Sequence, residues 1–132
     1  MEIKVQSVSI TSEVLNAADT TQIVRLFGIP AHSYILHFLG RKRTGFAGVT
    51  APSVIVGYTG GTADIMKSQD LSLAGDLMSG PNQDDKSFCP RLSPMPIKTE
   101  ASRQIFATFT SSSGNFSALS AGEVEFVVVY VA

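Results

Sequence analysis

The sequence contains few of the residues that build covalent or metal sites. Cys89 is the only cysteine among 132 residues, which excludes an intrachain disulfide and leaves the usual thiolate zinc sites without enough ligands. The only histidines, His32 and His37, are five residues apart and would point to opposite faces of a single strand. The sequence therefore predicts neither a metal site nor a cofactor.

Motifs for catalysis and nucleotide binding are also missing. The glycine-rich stretch "GYTGGTAD", residues 57–64, lacks the Gly-Lys-Ser/Thr ending of a phosphate-binding loop and the Gly-x-Gly-x-x-Gly dinucleotide spacing. It predicts a tight turn after a strand. The acids Asp64, Asp70 and Asp76 lack calcium-loop spacing, and no Gly-x-Ser-x-Gly nucleophile motif occurs. We predict a protein without enzymatic activity.

Charge and long apolar runs are scarce as well. Charged residues make up 16% of the chain and the net charge is −1, so no overall field attracts nucleic acid or an anionic membrane. No apolar run reaches the roughly 18 residues of a membrane helix, and the opening "MEIKVQSVSI" is unlike a signal peptide. We expect a protein made in the cytoplasm, with no membrane and no nucleic-acid partner.

Short β-branched runs separated by Gly, Pro and Ser turns dominate the remaining sequence. This pattern predicts one all-β domain over residues 1–132, a two-sheet β-sandwich of jelly-roll type with about eight strands. The proline-rich residues 81–96 are predicted to form a loop or a sheet edge.

Period-two alternation assigns side chains to the faces of the first strand. Ile3 and Val5 fall on one face, whereas Val8 and Ile10 fall on the other. A bulge near Gln6–Ser7 would explain this change of phase.

The next two strands are assigned in the same way. In "TQIVRLFGI" the alternation places Ile23 and Phe27 on one side. In "SYILHFLGRK" it places Tyr34, Leu36 and Phe38 together. Regular alternation therefore predicts that each of these groups shares one face.

The chain ends in "GEVEFVVVYVA", a strand that is apolar on both faces. The first face carries Val124, Phe126, Val128 and Tyr130. The second carries Glu125 and then Val127, Val129 and Val131. Because contiguous exposed apolar patches are uncommon on monomers, the second face needs a cover. Either the proline-rich loop covers it, or these three valines form a subunit interface around a cyclic axis.

"GRKRTG" concentrates the basic residues Arg41, Lys42 and Arg43 between two glycines. This arrangement predicts the tip of a hairpin. The cluster is either an ordinary solvated turn or a contact for an acidic partner surface, and it lacks the interleaved aromatics of a nucleic-acid site.

Three segments resemble small structural proteins of tailed phages. They are "TQIVRLFGIPAHSYILHFL", "APSVIVGYTGGTADIMKSQDLSLAG" and the closing "SALSAGEVEFVVVYVA", and the likeness spans residues 20–132. The resemblance implies a virion β-sandwich of the capsid decoration (cement) or head-fibre type. Such proteins are often homotrimers and act by binding the assembled shell. The basic residues 41–43 and the prolines at 90–96 depart from the family pattern.

The alternative function is a carbohydrate- or receptor-binding module of a phage tail. Sugar sites usually present aromatic platforms, but the chain has no tryptophan and most aromatics occupy core-like strand positions. Tyr58 and Phe116 are the aromatics nearest to predicted loops.

Overall fold

The computed structural model describes residues 2–76 and 97–132, and within them the chain forms strands, one 3-10 turn and no α-helix. The strands are β1 (Ile3–Thr11), β2 (Thr21–Ile29), β3 (Tyr34–Ala47), β4 (Ser53–Gly57), β5 (Met66–Asp70), β6 (Gly75–Asp76), β7 (Ile97–Lys98), β8 (Arg103–Thr110) and β9 (Ala121–Val131). The 3-10 turn, Phe116–Ala118, precedes β9. The predicted proline-rich loop and Cys89 lie outside the described residues.

The strands form two antiparallel sheets, as the alternation predicted. The first sheet has the order β1-β9-β3, and on the far edge of β3 the short strand β7 pairs with its first two residues while β6 pairs with Arg41 and Lys42 near its middle. The second sheet has the order β2-β8-β4-β5. Since β1 to β4 alternate between the sheets and β8 and β9 return to their middles, the connectivity is that of a jelly roll. The prediction of a two-sheet β-sandwich is confirmed.

The core lies between the two sheets and is rich in phenylalanine. Phe27 on β2 meets Phe38 on β3 edge-to-face, with ring centroids 6.2 Å apart, and Phe38 lies 5.9 Å from Phe126 on β9. Phe46 and Phe109 make a second contact between the sheets at 6.3 Å. Such aromatic pairs add about 0.5–1.5 kcal/mol each to the effect of area burial. They fix how the sheets stack.

The predicted bulge in the first strand is wrong. β1 pairs with β9 in unbroken register, from Ile3 opposite Val131 to Thr11 opposite Glu123. Gln6, Val8 and Ile10 all face inward: Ile10 is buried in the core, and Val8 packs against it. The inward Gln6 amide donates to the Gly28 carbonyl oxygen at 3.0 Å and to the Tyr130 hydroxyl at 2.9 Å. The apparent change of phase arises because the outward residues near the start of β1 are also apolar.

Two bulges occur where the alternation looked regular. The β2–β8 register shifts between Arg25 and Phe27, so Ile23 is 51% exposed although Phe27 is in the core. The β3–β9 register shifts between residues 35 and 37, so Tyr34 and Leu36 are exposed whereas Phe38 is buried. The predictions that these groups share one face are therefore wrong. An extra residue in one strand reverses the face of every residue beyond it.

Candidate interaction surfaces

The outward side of the first sheet is apolar over three adjacent strands. In an antiparallel pair, residues directly opposite each other have side chains on the same face. Val129 lies opposite Val5 on one side and His37 on the other, and Val127 lies opposite Leu39. We call this surface the outer apolar face; it consists of Ile3, Val5, Tyr34, Leu36, Leu39, Val127, Val129 and Val131.

Side chains of the outer apolar face are in contact with solvent in the single chain. Ile3 is 69% exposed, Val5 63%, Tyr34 38% and Leu36 37%. The three valines of β9 are half-buried, because β1 and β3 flank them on both sides. By contrast, the alternate residues Val124, Phe126 and Val128 are fully buried. The two faces of β9 therefore differ in burial, and the first face is the one in the core.

The second sheet has its outward side partly covered by the chain itself. The glycine-rich turn after β4 folds back over it, and the Gly61 amide donates to the Thr108 hydroxyl at 2.8 Å. Thr108 is only 5% exposed as a result. Gly60 lies against Ile23, where an added Cβ would stand 2.7 Å from its Cδ1. The glycine-rich stretch is thus a turn, as predicted, and it covers part of the sheet over which it folds.

The basic residues do not form a hairpin tip, and that prediction is wrong. Residues 41–43 lie within the fourteen-residue strand β3, which continues to Ala47. Arg41 lies opposite Glu125, and the Arg43 guanidinium donates to the Glu125 carboxylate at 2.6 Å. The glycines at 40 and 45 suggested a turn, but Gly40 is buried within the strand.

Lys42 is separated from its two neighbours by the pleat of the strand. It lies opposite Val124, on the inward side, and its Nζ donates to the carbonyl oxygen of Asp70 at 2.9 Å. Partial burial lowers the pKa of this amine, although the Asp70 carboxylate opposes the shift. Lys42 therefore ties β3 to β5, and only Arg41 and Arg43 are on the outward side with the valines.

Charge and apolar surface are segregated along the outward side of the first sheet. Toward the start of β9, Glu123 and Glu125 lie opposite the polar Thr11 and Ser9 of β1. Toward the end of β9, Val129 and Val131 lie opposite Val5 and Ile3 of β1. One half of this sheet therefore carries the Arg43–Glu125 ion pair, and the other half is the outer apolar face.

The loop-proximal aromatics do not form a sugar platform. Phe116 is fully buried in the core. Tyr58 is half-buried under the Arg103 guanidinium, whose Cζ lies 4.8 Å from the ring centroid, and burial raises the pKa of its hydroxyl. Tyr34, assigned to a core-like position from the sequence, is instead exposed on the outer apolar face.

The acidic residues of the turns are occupied in local hydrogen bonds. Asp64 accepts from the Thr62 hydroxyl at 2.8 Å and from the Tyr58 amide at 3.1 Å, and these bonds lower the pKa of its carboxyl. Asp70 accepts from the Ser72 amide and hydroxyl, which lowers its pKa in the same way. Across residues 2–76 and 97–132, no group of three His, Cys, Asp or Glu side chains is placed to hold a metal ion.

Sequence reasoning missed half of the outer apolar face. Ile3 and Val5 were explained by a bulge, and Tyr34 and Leu36 were assigned to the same side as Phe38. A usable signal existed: "IKV" and "VYV", at opposite ends of the chain, are the short apolar alternations expected of two paired strands.

No helix among the described residues is long and apolar enough to cross a membrane. Comparison with protein-family models, curated proteins and solved structures finds no match to this chain.

Proposed function

We propose that this protein is a non-enzymatic structural component of a tailed-phage particle, of the capsid decoration or head-fibre type. In this proposal the chains associate with one another, as a homotrimer in keeping with the phage resemblance, and dock on a capsid or tail protein. Decoration stabilises a shell because the added contacts exist only in the assembled state. The observation that carries the proposal is the outer apolar face.

Among residues 2–76 and 97–132, nothing covers Ile3 and Val5 of this face, which are 69% and 63% exposed. Contiguous exposed apolar patches are uncommon on monomeric proteins and usually mark interaction sites. The chain partly covers its other outward sheet face with its own glycine-rich turn, around Thr108, and this contrast between the two sheets supports a cover for the outer apolar face supplied by another chain. Val127, Val129 and Val131 occupy the middle strand of the face, and we assign them to the subunit interface.

The charged half of the same sheet supports contact with a second, polar surface. Arg41 and Arg43 are exposed beside Glu125 on the outward side of the strand. Charged groups at the rim of an interface add orientation and association rate more than affinity. We propose that Arg41 and Arg43 contact the particle, whereas Lys42 contributes to the fold of the subunit.

Sedimentation equilibrium tests the self-association. The wild-type protein should sediment as an oligomer, with at least about three times the chain mass of 14.0 kDa for a trimer, and Val129→Lys should lower this mass. Leu73→Lys is the matched control, because Leu73 is 70% exposed in the turn between β5 and β6. A folded wild-type monomer at high concentration, or equal effects of the two variants, would contradict the proposal.

Co-sedimentation with undecorated capsids tests the docking. Wild-type protein should bind the capsid in at least one state, before or after shell expansion. The double variant Arg41→Glu, Arg43→Glu should bind more weakly without a change in its oligomeric state. Absence of binding in every expansion state would count against decoration while leaving self-association intact.

The tail-module alternative rests on one observation, the exposed Tyr34 ring. A glycan array compares wild type with Tyr34→Ala. Specific binding lost in this variant would favour the alternative over decoration.

A further inference from the structure

β1 is the edge strand of the first sheet, and its hydrogen-bonding pattern is defined by the chain ends. Glu2 and Ala132 exchange two backbone hydrogen bonds, of 2.9 and 3.0 Å. In an antiparallel ladder, hydrogen-bonded pairs alternate with non-bonded pairs. The even-numbered residues of β1 therefore bond to β9, and the odd-numbered ones direct their amide and carbonyl groups away from the sheet.

With respect to the described residues, the odd-numbered positions present an unoccupied backbone edge. Within residues 2–76 and 97–132, no backbone or side-chain group bonds to the main chain at Ile3, Val5, Ser7 or Ser9. The same residues direct their side chains outward, with Ile3 and Val5 in the outer apolar face. The edge and the apolar face therefore meet along one strand.

The other edges of the described sheets carry the features that prevent strand addition. β2 has a bulge after Arg25, and β5 is a five-residue strand with Lys67 and Asp70 exposed. On the β3 edge, β7 pairs with the first two residues and β6 pairs with Arg41 and Lys42 near the middle. Natural sheets protect exposed edges with bulges, charges, short strands or covering segments.

β1 carries none of these features on its outward side. It runs for nine residues in unbroken register, and Lys4, its one charged residue, is on the inward side and pairs with Glu2 at 3.1 Å. The strand contains no proline or glycine. Lys4 is therefore the one protective feature on a long and otherwise regular edge, which is a template for a further strand.

We infer that β1 pairs antiparallel with β1 of a second copy of this chain, across a two-fold axis. An isologous contact requires a surface that matches itself, and the outward residues Ile3, Val5, Ser7 and Ser9 place no like charges opposite each other. The pairing continues the outer apolar face from one copy into the next, because Ile3 and Val5 form its border at this edge. It is a main-chain contact, distinct from the side-chain interface of the β9 valines, and it does not depend on docking to a virion.

Residue-resolved hydrogen exchange tests this pairing directly. With increasing protein concentration, the amides of Val5 and Ser7 should exchange at least about tenfold more slowly, because they become hydrogen-bonded between copies. The amides of Gln6 and Val8 should be protected at every concentration, since they bond to β9. Equal, fast exchange of Val5 and Ser7 at all concentrations would overturn the inference.

Two variants separate this contact from the outer apolar face. Ser7→Pro removes an edge amide that bonds to nothing among residues 2–76 and 97–132, and Ser7→Lys adds a charge to the edge. Both should halve the mass of the assembly in sedimentation, whereas Thr21→Lys on the protected β2 edge should not. Unchanged mass in both Ser7 variants would refute strand pairing.

The result with Val129→Lys distinguishes the two contacts. If this variant loses mass while the concentration-dependent protection of Val5 and Ser7 persists, both interfaces exist. If the protection is absent in wild type but Val129→Lys still dissociates the oligomer, the edge inference fails and the proposed function stands.

Discussion

Adjacent valines on β9 offer a sharp test of which face of the first sheet is core. Val128 is fully buried between the sheets, whereas Val129 is half-buried on the outward side. Val128→Ala and Val129→Ala delete the same atoms and change strand propensity equally. Any difference between the two variants therefore reports the surroundings of the side chain.

The magnitudes follow from burial. Removing two buried methyl-sized groups at Val128 costs about 1.6 kcal/mol in transfer free energy, and the cavity raises the loss to about 2–3 kcal/mol. At Val129 the half-buried side chain loses less than about 1 kcal/mol, because water and neighbouring side chains fill the space. The expected difference is about 1–2 kcal/mol in the free energy of unfolding.

Urea unfolding at two protein concentrations is the assay. At low concentration Val128→Ala should unfold at clearly lower urea than Val129→Ala. At high concentration the deficit of Val129→Ala should grow, because association stabilises the wild-type fold by mass action and this variant associates less. Equal losses at low concentration would refute the assignment of faces, and a concentration-independent deficit would refute burial of Val129 between subunits.

Two further predictions concern the turns and strand ends. Gly122→Ala should destabilise the fold by about 2–4 kcal/mol, because φ is +147° and an added Cβ would stand 2.5 Å from the Phe46 ring. Gly61→Ala, with φ +82° and open space around it, should cost only about 1–2 kcal/mol of backbone strain, and thermal melts that rank the two variants in the opposite order would contradict the packing argument. Asp64→Asn should lower the free energy of unfolding at pH 7. This deficit should shrink as the pH falls below 3.8, the ordinary pKa of an Asp carboxyl, because the folded-state pKa of Asp64 is lowered and its contribution to stability is lost on protonation. Urea titrations that give the same deficit at pH 7 and pH 3 would contradict this role.

The sequence was a good guide wherever one period-two pattern held for a whole strand. In β9 the alternation correctly separated the buried Val128 from the half-buried Val129. Its apolar second face was visible as well, since charge disappears after Glu125. The turn after β4 was predictable because glycines permit the backbone conformations and close approach that a tight turn requires.

The errors all arise where long-range pairing decides the conformation. The bulges in β2 and β3 are set by the partners β8 and β9 and leave no local mark in the alternation. The basic residues looked like a hairpin tip because of flanking glycines, yet pairing of β3 with β9 and β6 keeps them within a strand. In β1 the same alternation fitted either a bulge or an apolar outward face, and only the register with β9 distinguished them.

What the sequence by itself determined is the fold class and the amphipathic pattern of the last strand, because strand propensity and period-two alternation are local properties of the chain. The tertiary structure decided which strands are neighbours, and hence that residues from both ends of the chain and from β3 form one apolar surface. It also decided that β1 is an edge strand, since β1 pairs with β9 on one side and, within the part of the chain that the structure describes, with no strand on the other.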